Sequence, residues 1–127
     1  MTQGPSLNTE RSYHGCDRLN DESIIVSGGL NTGVLTSTEI LKRGELEWKN
    51  GPDLKGRVVG NELVKSERNR YVAYNLGGLN ITGDGETFST IHGLHRETNE
   101  WQLIGSMKEP REWGSAINVP STMIPWC

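Results

Sequence analysis

Chemistry in this sequence would have to come from a small set of side chains. His92 and His95 stand three apart in TFSTIHGLH, a stretch that reads as a strand. That spacing points them to opposite faces and denies them a shared metal ion. His14 and Cys16 are two apart and could share a face, but two ligands do not close a site, and no further Cys or His stands at ligand spacing. Serines are plentiful, yet no GxSxG elbow occurs, and a triad cannot be inferred from the mere presence of its residue types. The glycine-rich stretches GGLNTG and GGLNITG contain neither GxxxxGK nor GxGxxG between a strand and a helix, so they predict no phosphate cradle. The expectation is therefore no catalytic residue, no metal, no cofactor and no enzyme activity carried by these residues. Asn80, Ile81 and Thr82 form an N-glycosylation triplet in a predicted loop.

Composition narrows the partners. With a net charge of -3 and interspersed signs, the chain offers no basic footprint for nucleic acid and no polybasic patch for anionic lipid. No apolar run is long enough to span a bilayer, and no basic segment followed by an apolar one opens the chain as a secretory signal would. Two cysteines, Cys16 and Cys127, are too few for a disulfide framework and are compatible with a reducing, cytoplasmic compartment. Hydrophobic residues are 33% of the chain and Gly numbers 16, a lean core with many turns, which favours short strands. No stretch of a dozen residues carries apolar groups at three-and-four spacing free of Gly or Pro, so helix has a poor case.

The elements that must position any site recur. GGLNTG at Gly28 returns as GGLNITG at Gly77, and ELEWKNGPDL around Trp48 is echoed by NEWQLIGSMK around Trp101, each about 50 residues on. Arginine followed by glycine marks three starts, RSYHG from Arg11, RVVG from Arg57 and REWG from Arg111. GPSL at Gly4 matches GPDL at Gly51, so the opening residues read as the tail of a preceding unit. The expected organisation is a tail over 1–10, repeats over 11–56 and 57–110, and the start of another over 111–127: a slice of a longer array.

Each unit reads as four strands. The first is His14 to Leu19, Val59 to Lys65 and Ser115 to Val119. The second is Ser23 to Gly29 and Arg70 to Gly78, rich in β-branched and aromatic residues. The third is Ser37 to Lys42 and Thr87 to Leu94. The fourth carries the Leu46/Trp48 and Trp101/Leu103 alternations, which predict both apolar groups of each pair on one face.

A strand ending in a double glycine, then about 20 residues to a Trp, then a short tail and Arg, resembles the kelch repeat. The likeness spans nearly the whole chain. Leu41 and Leu94 stand seven residues before the tryptophans, where that family usually has an aromatic. The resemblance implies an all-β fold, a partial kelch-type β-propeller of two full four-stranded antiparallel blades plus partial flanking repeats. A blade apolar on both faces must lie against a neighbour. Trp48 and Trp101 are expected to fill the space between blades, each worth on the order of 3 kcal/mol when buried. Gly28, Gly29, Gly77 and Gly78 are expected where φ is positive or a side chain is crowded. Cys16 and Cys127, two blades apart, are expected to exceed the ~7 Å limit for a disulfide.

Binding then falls to loops. With alternating strand directions, the fourth-to-first and second-to-third loops emerge on one rim, which would gather Asn8, Glu10 and Arg11; Asn31, Thr32, Leu35 and Thr36; Lys55 and Arg57; Asn80, Thr82, Asp84 and Glu86; and Glu109 and Arg111. The repeated arginines suit a blade-supporting hydrogen bond as well as a ligand contact. The family resemblance implies a protein partner, as for ubiquitin-ligase adaptors or actin binders. It also extends to copper propeller enzymes of galactose oxidase type, whose ligands have no assignable match here. Two exposed blade faces predict self-association or dependence on further blades.

Overall fold

The computed structural model describes residues 4–66, 70–80 and 86–109, the side chains at 80, 86 and 87 excepted. Arg111, Thr82, Asp84, Cys127 and the Ser115 to Val119 strand lie outside the described residues. The described chain is all-β, and it contains no helix long and apolar enough to cross a membrane.

The first sheet has the order β1-β2-β3-β4, formed by β1 (Gly15–Asn20), β2 (Ser23–Ser27), β3 (Thr38–Lys42) and β4 (Lys49–Asn50). The second has the order β10-β9-β6-β5, formed by β5 (Glu62–Lys65), β6 (Tyr71–Leu76), β9 (Thr90–His95) and β10 (Trp101–Ser106). All pairings are antiparallel. β7 (Leu79–Asn80) and β8 (Glu86–Thr87) make a separate hairpin. The third strand of the second repeat therefore starts at Thr90 rather than Thr87, because Thr87 pairs with Leu79 in that hairpin. The expected Val59 strand is likewise interrupted: Val59 bridges Leu79, and Gly60 at φ 68 turns the chain before β5 begins.

The two sheets meet through β1 and β5, and a single core fills the join. Ile25, Leu54, Val58, Leu63, Ala73, Leu94 and Trp101 form it, with Ile40 and Phe88 packed against them. Polar groups clamp the same join: Lys65 N–H donates to Asp17 Oδ2 at 2.8 Å, and Asn61 Nδ2 donates to Ser27 Oγ at 3.0 Å and to Asn75 Oδ1.

Both indoles are tied down in the same way. Trp48 Nε1 donates to Pro5 O at 2.9 Å and Trp101 Nε1 to Pro52 O at 3.0 Å. Trp101 is fully buried and Trp48 is 8% exposed. This shared bond superposes GPSL on GPDL. Of the expected fourth-strand pairs, Trp101 and Leu103 stand two apart in regular register on β10 and so share a face, but Leu103 is 63% exposed, and Leu46, outside the strand, is 83% exposed. Leu46 lies in the turn before the two-residue β4, and Leu103 sits on the outermost strand of its sheet, beside a register shift between Leu103 and Gly105. Gly28, Gly29, Gly77 and Gly78 all adopt positive φ. A Cβ on Gly29 would lie 2.7 Å from Ser12 O, a contact no side chain tolerates.

Candidate functional site

The two loop classes do converge. Ser12 and Leu30 exchange backbone hydrogen bonds, Leu54 N–H donates to Thr36 O at 2.8 Å, and Val58 N–H donates to Leu35 O at 3.4 Å. The loop entering each sheet thus lies along a loop between the second and third strands. Glu10, Asn31, Thr32, Lys55 and Arg57 are exposed there, while Leu35 and Thr36 are half-buried and Glu109 is exposed. Glu10, Ser12, Leu30 and Asn31 border a surface cavity of about 280 Å³. Asn80 and Glu86 contribute backbone to β7 and β8. Asn8, though exposed, is engaged: its side-chain amide donates to Trp48 O at 2.6 Å.

Arg11 differs from its rim expectation. Its side chain is fully buried, and its Nη1 donates to Gly28 O and Ser37 O, both at 2.9 Å. Nη2 donates to Ser37 Oγ at 3.1 Å and to Glu39 Oε2 at 2.8 Å. Glu39, 1% exposed, also accepts the N–H of Asn8 at 2.7 Å and of Thr9 at 3.2 Å. Arg11 is a blade-supporting group, and sequence reasoning missed Glu39 altogether. One signal was present: a carboxylate between Thr38 and Ile40, in a strand that must be buried, needs a cation.

Nor are Arg11 and Arg57 equivalent. The Ser12–Leu30 bridge of the first repeat corresponds to the Val59–Leu79 bridge of the second, so the counterpart of Arg11 is Val58. Tyr13 (φ 55) and Gly60 (φ 68) share the positive φ that this alignment requires. Glu39, paired with Val26, corresponds to His92, paired with Asn75.

His92 and His95 do not meet. His92 borders a cavity with Lys55, and its imidazole is held below the ordinary histidine value by burial and by that lysine. His95 Nδ1 accepts the N–H groups of Glu97 and Thr98, and its ring stacks edge-on with Tyr71. His14 is lowered by burial and by Arg11, and the exposed Cys16 thiol is raised by burial around it and by Asp17. Among the described residues no group of three or more His, Cys, Asp or Glu could hold a metal ion.

Two four-stranded antiparallel sheets, each entered by a GP loop locked to its own tryptophan and each carrying a double glycine after its second strand, decide the architecture. These are kelch-type propeller blades. A Caenorhabditis elegans relative, kelch repeat-containing protein kel-10, is 19% identical over 92% of this chain, which covers 20% of that protein. N-acetylneuraminate epimerase of Yersinia pestis (strain Pestoides F) is 24% identical over 94% of the chain, which covers 36% of it. The same figures hold for the enzyme of that name from Yersinia pseudotuberculosis serotype O:1b. The kelch-type chain thus spans about a fifth to a third of the length of these curated relatives. No protein-family model matches it.

Proposed function

We propose that this kelch-type segment is a non-catalytic protein-interaction module, an adaptor or cytoskeletal binder in its class, which recognises a protein partner with its loop rim. The supporting observation is the convergence of Glu10, Asn31, Thr32, Lys55 and Arg57, all exposed, on one rim, where Glu10 and Asn8 of the first repeat give way to Arg57 and Lys55 in the second. Loops held on a rigid scaffold commonly carry recognition, and side chains that vary between repeats can specify a partner where repeated ones cannot. The test compares two ends of the same blades. In the full-length protein, Lys55→Glu with Arg57→Glu should abolish recovery of the partner. Glu22→Lys with Arg43→Glu, an exposed pair at the opposite end, should leave it intact. Equal losses from both would refute the reading.

The likeness to N-acetylneuraminate epimerase favours a second reading, a segment of a propeller enzyme whose reacting groups are supplied elsewhere in the ring. Turnover of N-acetylneuraminate by the full-length protein, retained in the rim variant, would favour it over the first.

A further inference from the structure

The two repeats can be compared residue by residue at one spot. In the first sheet, the space between the entering loop and the glycine turn is filled by the Arg11 side chain and the Glu39 carboxylate. In the second, hydrogen bonds fix the same frame. Gly77 N–H donates to Thr90 O as Gly28 N–H does to Ser37 O, and Phe88 N–H to Gly78 O as Leu35 N–H does to Gly29 O. The plug, however, is gone. Val58 replaces Arg11 and His92 replaces Glu39, and a cavity of about 160 Å³ remains, bordered by Leu54, Lys55, Val58, Asn75, Phe88 and His92.

The chemistry of that cavity is biased to one sign. In the first sheet, the backbone N–H groups of Asn8 and Thr9 both hold a carboxylate. Their counterparts, the N–H groups of Lys55 and Gly56, have no hydrogen-bond partner among the described residues. Lys55 adds an ammonium, Asn75 and His92 add potential donors, and among the described residues no acidic side chain borders the space. Leu54, Val58 and Phe88 give the rest of the wall an apolar character.

We propose that this cavity binds a small carboxylate with a compact apolar body, its carboxylate taking the position that the Glu39 carboxylate occupies in the first sheet. The apolar body lies against Leu54, Val58 and Phe88, and the backbone amides and Lys55 hold the charge. Lys55 belongs to the rim as well, so the cavity and the proposed protein partner share that side chain.

The test uses the full chain, nitrogen-15 labelled, titrated with 4-methylpentanoate and, as a neutral control of the same shape, 4-methylpentanamide. The carboxylate should give saturable amide shifts at Lys55, Gly56 and His92, with the neutral control weaker by about tenfold. Lys55→Gln, at an exposed position, should weaken the carboxylate about fivefold. Val58→Arg with His92→Glu, which rebuilds the first sheet's pair, should abolish binding. Equal response to acid and amide, no saturable shift, or unchanged binding in Lys55→Gln would overturn the proposal. Should the double variant fail to fold by circular dichroism, Lys55→Gln alone decides.

Discussion

Removing both members of the buried pair of the first blade should cost less than the sum of removing each one alone. Arg11 makes four hydrogen bonds and Glu39 three, one of them shared, and both side chains are out of contact with water. Glu39→Leu leaves a buried guanidinium without its anion and strands the N–H groups of Asn8 and Thr9, while Arg11→Met leaves a buried carboxylate without its cation and strands the Gly28 carbonyl. Breaking one partner of such a pair costs about 3–5 kcal/mol, because the remaining charge stays buried without compensation. The double variant removes both charges, so its loss should fall short of the summed single losses by about 1–3 kcal/mol. Urea unfolding followed by tryptophan fluorescence reads all four corners of the cycle. The exposed Arg43–Glu22 pair, at 3.8 Å, is the control and should change stability by less than about 1 kcal/mol. Single losses below about 1 kcal/mol that simply add would refute the view that Arg11 and Glu39 act as one internal plug.

Gly29→Ala should destabilise by about 1–3 kcal/mol, given φ 97 and the approach of Ser12 O, whereas Gly33→Ala, with open space around it, should be near neutral; thermal melts separate them. His14 and His92 both have lowered pKa values in the folded chain, so the unfolded chain binds more protons. Their contribution to stability should be complete above the ordinary histidine value of 6.5 and be lost as pH falls below it, and His14→Gln with His92→Gln should flatten that slope in urea titrations from pH 8 to 5. Leu103 and Ile104 lie exposed on the outermost strand β10, so sedimentation should show concentration-dependent association that Leu103→Lys reduces.

What the sequence made legible was whatever the backbone demands. The double glycines are readable because only glycine fits their positive φ values beside Ser12 and Val58. The tryptophans are readable because a large indole in a lean core has few places to go. GPSL and GPDL occupy matching places, the carbonyls of Pro5 and Pro52 each receiving the indole of its own repeat. Side-chain partnerships were less legible. Arg11 and Arg57 look like the same marker, yet the bridge at Ser12 aligns with Val59 and makes Arg57 the counterpart of Glu10. Glu39 sits in a strand where alternation alone assigns no partner, and its role appears only once Arg11 is folded back onto it. The exposure of Leu46 and Leu103 depends on what lies beside the last strand, which a period of two does not encode. The rim was legible as loops but not as side chains, since Arg11 and Asn8 turn out to support the blade.

The account rests on two repeats folding into equivalent blades, each locked by an indole bonded to its own GP loop. Hydrogen exchange of the side-chain Nε1–H groups of Trp48 and Trp101, read by nitrogen-15 NMR on the full chain, tests this most directly. Both should be strongly protected, with Trp101 at least as slow as Trp48, and Pro5→Ala or Pro52→Ala should leave that protection in place because the acceptor is a backbone carbonyl. Exchange of either indole at the rate of a free tryptophan in water would contradict the paired-blade architecture.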